Sequence, residues 1–344
     1  MALDPEPHLA ELADSARYPS ATPAISVLIS TFRRAHYLPG LLDCLEAQTG
    51  DPTAFEVIVV DNASNDATWD ALQTRAASTP LAFRAGRVGV NGGPATGRNA
   101  ALSLARAELV AFTDDDTLPE PGWLAEMRRA LEHGLHLVQG RTEPAPGARG
   151  LWDHTVAVRS TTPFFETCNI GYRRDELIAA GGFRPLEGYR PGRGGTPFGG
   201  EDTVVGWDVL RAANAVPAFA TDAVVHHRIE PRDYKGWLHV KQGMAIFPAL
   251  IANVPEIRRF MFWHYFFSAR TAAFDLAVVG LVAALVSRSP IPLVAVIPYV
   301  RMLAPRRKSG LRNWAERLGP IVRGDFAAAW SLWRGTIRYR RVVL

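Results

Sequence analysis

Cysteine is scarce. The 344 residues contain two, Cys44 and Cys168, far apart in the chain. That excludes a thiolate metal cluster and any disulfide framework beyond a single bridge, and fits a reducing cytosol. An apolar leader is also missing. Residues 1–23 carry Asp4, Glu6, Glu11 and Asp14 with no hydrophobic stretch between them, and read as a short helix or an unstructured lead rather than a signal peptide. No uninterrupted apolar run approaches the roughly 20 residues of a spanning helix. The nearest, Leu276–Val286 and Ile291–Val300, are separated by Ser287, Arg288, Ser289 and Pro290, and extending the first back to Thr271 takes in Asp275. There is no internal repeat, no phosphate-binding P-loop or dinucleotide fingerprint, and no nucleic-acid-binding module.

What is present is a globular composition, 48% apolar and 21% charged, which excludes wholesale disorder. The net charge of +4 is unevenly divided: residues 301–344 carry +9, almost all from arginine, leaving −5 for residues 1–300. A basic segment after an acidic body reads either as a solvated helix or as an attachment to anionic lipid headgroups. The dense aromatic run at 260–267 (FMFWHYFF) and the Arg301, Arg306, Arg307, Lys308 cluster flank the two apolar runs. They favour interfacial placement on the cytosolic side of a membrane.

Between Ala24 and Thr113 the chain alternates buried-strand and helix patterns. AISVLIST (24–31), FEVIVV (55–60), Leu81–Ala85 and ELVAFT (108–113) read as strands; Tyr37–Gln48, Thr68–Ala77 and Arg98–Ala107 read as helices. Continuous rather than alternating apolar strands predict a mainly parallel sheet covered on both faces. Pro119–His133 and Thr203–Ala213 read as further helices, and Val138–Arg141, Val216–Phe219 and Ala223–His226 as short strands. The glycine- and proline-rich stretch Arg184–Gly200 reads as a lid or binding loop.

The chemistry concentrates at strand ends, where open α/β sheets bind ligands. Asp114, Asp115 and Asp116 directly follow a buried strand. Three adjacent carboxylates repel one another; Asp114 and Asp116, two apart, suit a shared Mg²⁺ or Mn²⁺ that neutralises a diphosphate. A solvated acidic turn is the plainer alternative. Asp61 ends another strand, either as acceptor for a base or ribose or as a local turn cap. The glycine-rich entry to a helix, 92–99 (GGPATGRN), offers a helix N-terminus and Arg98 to an anion. Glu201 and Asp202 open a helix, where acids are favoured by the dipole alone; the functional reading makes one of them a general base. His226 and His227 offer a neutral imidazole to a metal.

Taken together, VLISTFRR, VVDNAS, GPATGRNAAL, FTDDDTLPEPGWL, CNIGYRRDELIAAGGF and GGEDTVVGW resemble the family 2 glycosyltransferases over about Ala24 to Arg228. The resemblance implies a GT-A fold, Rossmann-like, over 24–232, after a lead of 1–23 and before a C-terminal helical, membrane-associated region of 233–344. It implies inverting transfer from a nucleotide-sugar donor to a glycan or lipid-linked acceptor in cell-envelope, glycolipid or polysaccharide synthesis. By position, Thr31, Arg33, Asp61, Arg98, Asp114 and Asp115 match donor-binding residues. Asp114 and Asp116 match the Asp-X-Asp metal motif, with His226 or His227 where some relatives place a third ligand. Asn169, Gly182 and Glu201 match the acceptor side, and Asp202 the catalytic base. The Gln-X-X-Arg-Trp motif of processive synthases is absent, which points to single transfers. A nucleotidyltransferase and a non-catalytic scaffold of the same fold are the competing readings. The first lacks its glycine-rich loop after the first strand, and the second sits poorly with intact Asp114, Asp116 and Asp202.

Overall fold

The structure is a computed structural model and describes residues 8–51, 54–189, 199–304 and 311–344. Most of the candidate lid, residues 190–198, and the basic residues 306–308 lie outside the described residues. The chain divides into two compact units. One comprises Met1–Arg149, His154–Pro185 and Gly200–Glu230; the other comprises Gly150–Asp153, Leu186–Gly199 and Pro231–Leu344.

The first unit is built on a nine-stranded sheet. In chain order the strands are β1 (Leu9–Asp14), β2 (Ile25–Thr31), β3 (Phe55–Asp61), β4 (Ala82–Val88), β5 (Leu109–Thr113), β6 (Thr117–Pro119), β7 (Leu137–Pro144), β8 (Asn169–Arg173) and β9 (Ala218–His227). In space they run β1-β4-β3-β2-β5-β8-β7-β9-β6. Strands β4, β3, β2 and β5 are parallel, as the alternating pattern predicts. Antiparallel pairings then extend the sheet at both ends, except that β7 and β9 run parallel. The N-terminal lead, read as a short helix or unstructured, instead supplies a strand over Leu9–Asp14: β1 pairs antiparallel with β4, and a single 3-10 turn follows at Tyr18–Ser20. The six residues of β1, LAELAD, do not alternate and are too few for sequence periodicity to separate a strand from a short helix.

Strand β3 is buried at every position because helices cover both faces. On one face α1 (Leu38–Glu46), α2 (Thr68–Ser78) and α4 (Trp123–Glu132) supply Leu41, Leu45, Leu72, Trp123 and Met127. On the other, α3 (Pro94–Leu104), α5 (Arg174–Ala179) and α6 (Glu201–Ala213) supply Ala100, Ala101, Leu177, Val205 and Val209. Each large side chain so buried contributes about 1.5–3 kcal/mol. Both cysteines are unpaired.

The second unit is helical: α7 (Tyr234–Gln242), α8 (Ile246–Asn253), α9 (Ala269–Ser287), α10 (Ile297–Leu303) and α11 (Leu311–Tyr339). Ser268 and Thr271 form a reciprocal cap that starts α9 well before its apolar run, by satisfying N–H groups that the helix leaves unpaired. Asp275 is therefore inside the helix. At 19 residues, α9 is long and apolar enough to cross a membrane, although a third of its most apolar window is buried within the protein. The sequence reading placed it below that length. Gly324 and Gly335 let α11 close on α7 and α8: a Cβ at the first would lie 2.1 Å from the Trp237 ring and at the second 2.8 Å from the Ala245 carbonyl.

Candidate active site

The parallel register aligns Thr31 with Asp61 at the carboxyl ends of β2 and β3, and β5 ends beside them, leading into Asp114–Asp116. A tight turn presents the three acids. The Thr117 backbone N–H and hydroxyl both donate to the Asp114 carbonyl, and Thr113 donates its hydroxyl to the Cys168 carbonyl at 2.9 Å. The three carboxylates then take different partners.

Asp114 faces Arg98, which lies 3.4 Å away through Nη2 and donates through Nη1 to Glu201 at 3.1 Å. Burial raises the Asp114 carboxyl, with Arg98 opposing. Asp115 is almost wholly enclosed and accepts from the Thr31 hydroxyl at 2.7 Å; burial pushes it up to about 7. Asp116 accepts from Arg34 Nη1 at 2.8 Å, and its other oxygen lies 3.5 Å from His227 Nε2. His227 Nδ1 sits 2.8 Å from the Arg228 carbonyl, an acceptor only. In the neutral ring the proton is therefore on Nδ1 and the Nε2 lone pair faces Asp116.

Asp61 is fully buried, accepts from the Ser64 N–H at 3.0 Å, and lies 3.4 Å from Arg87 Nε. That ion pair is to Oδ2, which makes no hydrogen bond within the described residues and keeps capacity to accept one. Burial raises this carboxyl, with the Ser64 bonds opposing. The α3 N-terminus is fixed beside it, because Asn62 Nδ2 donates to the Gly93 carbonyl at 2.7 Å.

Arg98 ties the acidic corner to the start of α6, where Glu201 and Asp202 lie. Asp202 accepts from the Thr203 N–H at 2.8 Å. Burial, with Glu201 next, pushes its carboxyl up to about 7 while Arg98 pulls it down. Glu166, which holds Gln139 and Thr162 at 2.7 and 2.6 Å, adds to the negative field at Asp202.

The structure thus gathers Thr31, Arg98, Asp114, Asp115, Asp116, Glu201 and Asp202, with Asp61 one strand away. It does not gather the rest. Asn169 is committed to the fold: its amide accepts from Trp123 Nε1 at 2.9 Å and donates to the Arg141 and Ala223 carbonyls, both at 2.9 Å. Gly182, at φ 66°, closes the turn after α5, and places Phe183 for a reciprocal pair with the Asn99 amide. His226, the histidine placed in the ligand set, points away from Asp116 and meets Glu120 at 2.8 Å; His227 takes the position at Asp116. Arg33 is exposed, and its neighbour Arg34 reaches the acids instead. Arg33 adopts the left-handed φ of 55°, which turns the chain so that the second arginine faces inward. Sequence reading missed Arg34, Arg87 and Glu166. A doubled arginine after the first strand was the available signal for Arg34.

Among the described residues, no group of three or more His, Cys, Asp or Glu is arranged to hold a metal as it stands. Asp114 and Asp116 offer hard carboxylate oxygens and His227 an imidazole nitrogen, donor types that suit a divalent cation. Arg34 and Arg98 lie against the same two carboxylates, Asp116 and Asp114, at 2.8 and 3.4 Å.

Residues 26–187 match the Glycosyl transferase family 2 profile. This segment is a family 2 glycosyltransferase domain. The uncharacterized glycosyltransferase YfnE of Bacillus subtilis is 38% identical over 113 residues, 33% of this chain and 28% of YfnE. The poly(ribitol-phosphate) β-N-acetylglucosaminyltransferase TarS of Staphylococcus aureus is 36% identical over 92 residues, 26% of this chain and 16% of TarS. The matched stretch therefore spans under a third of either relative. The mannosyltransferase PcManGT from Pyrobaculum calidifontis, in complex with GDP-Man and Mn²⁺, superposes with a TM-score of 0.61 at 21% identity, covering 93% of this chain and 91% of its own. That likeness shows the shared GT-A fold.

Proposed function

We propose that the chain is an inverting glycosyltransferase, moving a sugar from a nucleoside-diphosphate sugar to an acceptor hydroxyl at the cytoplasmic face of a membrane. The observation that carries this reading is the Asp114–Arg98–Glu201 chain of contacts. It joins the acidic corner to the helix that bears Asp202 within one unit.

Asp202, raised to about 7, is suited to take the proton of an acceptor hydroxyl near neutral pH. The acceptor oxygen then bonds to the anomeric carbon as the bond from that carbon to the diphosphate oxygen breaks on the opposite face, with inversion and no covalent enzyme intermediate. Arg34 and Arg98 place positive charge where the leaving diphosphate gains negative charge. Asp61, with its unbonded oxygen, would accept from the nucleoside. Asp114, Asp116 and His227 would hold a divalent cation, Mg²⁺ or Mn²⁺. Bound there, the cation would supply further charge neutralisation for the diphosphate. PcManGT, with its Mn²⁺ and GDP-Man, supports that choice of ligand and donor class.

Exposed apolar residues support the membrane location. Before residue 232, only Leu12, Phe32, Val90, Leu151 and Val216 are large, apolar and exposed among the described residues; after it, α9, α10 and α11 expose many. A lipid-linked or envelope glycan acceptor follows from that placement.

The test is Asp202→Asn assayed with a panel of nucleotide sugars, Mn²⁺ and membranes as acceptor. Transfer should fall by at least about a thousandfold, with donor binding by calorimetry unchanged. Turnover like wild type would remove Asp202 from the role. No turnover of any donor by wild type, with or without metal, would favour the non-catalytic reading.

A further inference from the structure

The helical unit holds a second feature that sugar transfer does not use. A cavity of about 450 Å³ lies against α9 and α10, walled by Phe262, Trp263, Leu276, Val279, Met302 and Trp333, within the size range of ligand pockets. Its lining contains no basic residue and one acid, Asp275. Asp275 is 7% exposed, and neither carboxyl oxygen has a hydrogen bond. Burial pushes its carboxyl up to about 6, and the Trp333 indole beside it opposes that shift without reaching hydrogen-bond geometry.

The contrast with Asp325 in the same unit is informative. Asp325 is met by Arg270 at 2.8 and 2.6 Å and by the Tyr299 hydroxyl at 2.7 Å. Every oxygen of one aspartate is satisfied, and neither oxygen of the other. An unsatisfied buried polar group costs about 1–3 kcal/mol. It is explained most simply by a ligand that completes it.

We propose that this cavity binds a single-chain amphiphile whose head group donates hydrogen bonds, an ammonium or a hydroxyl, with the head at Asp275 and the chain against the aromatic and aliphatic wall. Charge excludes the opposite class: an anionic head would meet a carboxylate with no cation among the lining residues. The aliphatic face continues outward from the cavity along Val282 and Leu285 of α9 and Ile297 of α10, all exposed, giving a longer chain apolar surface to follow. The site stands independently of the acidic corner of the first unit.

The test uses the purified full-length chain and the neutral fluorophore N-phenyl-1-naphthylamine. Three twelve-carbon competitors, dodecylamine, dodecanol and dodecyl phosphate, are compared below their micelle concentrations. Dodecylamine and dodecanol should displace the probe about tenfold or more better than dodecyl phosphate, a difference of about 1.4 kcal/mol. In Asp275→Asn, which removes the charge and keeps the hydrogen-bonding atoms, the gap between the amine and the phosphate should narrow. In Asp275→Leu the phosphate should become equal to the others while the probe still binds. Circular dichroism confirms that each variant is folded, and the asparagine variant, nearly identical in shape, stands in if the leucine variant is not. Equal displacement by all three heads in wild type, or an order unchanged in both variants, would overturn the proposal.

Discussion

At the residue scale, the acids of the site were legible and their partners were not. Asp61, Asp114–Asp116 and Asp202 announce themselves because carboxylates at strand ends or crowded together have few structural uses. Which of two adjacent arginines or histidines faces them depends on a single backbone angle or on strand parity. In β9 the buried residues Ala223, Val225 and His227 share one face. The run of two valines and two histidines hides that parity in the sequence. The choice has a kinetic consequence. His227→Ala should raise the Mn²⁺ concentration needed for half-maximal transfer by about tenfold or more, whereas His226→Ala should leave it near wild type. Metal titrations of both variants decide it, and equal effects would return the ligand to the undetermined pair. The acid at α6 makes a prediction of its own. Asp202 must be ionised to act, and its pKa is raised to about 7, so kcat/KM should fall as pH drops through about 7. The Glu201 carboxylate is the largest cause of that shift after burial. Glu201→Gln removes a neighbouring negative charge and frees Arg98, and both changes lower the Asp202 pKa. The acid limb of the pH–rate profile should move by about one unit to lower pH, and an unmoved or alkaline-shifted limb would contradict the assignment.

At the scale of elements, strong signals survived and weak ones did not. The strands β2, β3 and β5 were readable because burial on both faces leaves a continuous apolar run. Strand β8 was not, since NIGYR is short and its place between β5 and β7 is decided by distant pairing. The segments read as two short strands, Val216–Phe219 and Ala223–His226, are one, β9, bent where its register against β7 shifts near Gly140. The start of α3 was placed too late, because Gly93 and Pro94 look like loop residues although proline suits the first helical turn. That helix packs so tightly on β2 that a Cβ at Gly97 would lie 2.0 Å from the Ser30 hydroxyl. Alanine ordinarily gains about 0.5–1 kcal/mol over glycine inside a helix, but overpacking costs about 1–3 kcal/mol, so the clash should win. Gly97→Ala should therefore unfold at lower denaturant concentration than wild type, and adding Ser30→Gly should restore much of the loss. A more stable single variant would show that α3 is free to move off the sheet.

For the whole molecule, charge and apolar surface separate two contributions that sequence alone merged. The basic segment is continuous with α11, whose Arg317, Arg323, Arg334 and Arg338 are exposed alongside Phe326, Trp330 and Ile337. The apolar faces of α9 and α10 carry little charge. Attraction of arginines to anionic lipid weakens with salt, because the Debye length shrinks from about 10 Å at 0.1 M to about 3 Å at 1 M. Burial of aliphatic side chains does not weaken with salt in this way. The chain should therefore sediment with vesicles of phosphatidylcholine and phosphatidylglycerol at low salt, and at about 1 M salt it should be released only in part. Replacing Leu281 and Leu285 by Asp puts two charges on an exposed face, where they should not disturb the fold. Each such charge disfavours the hydrocarbon by roughly 2.5–3.5 kcal/mol, so this variant should lose the salt-resistant fraction and keep the salt-sensitive one. Complete release of the wild type at high salt would reduce the attachment to electrostatics alone and leave the apolar helices for another partner. Absence from vesicles at every salt concentration would remove the membrane from the proposed reaction, leaving Asp202 and the acidic corner to be judged on soluble acceptors.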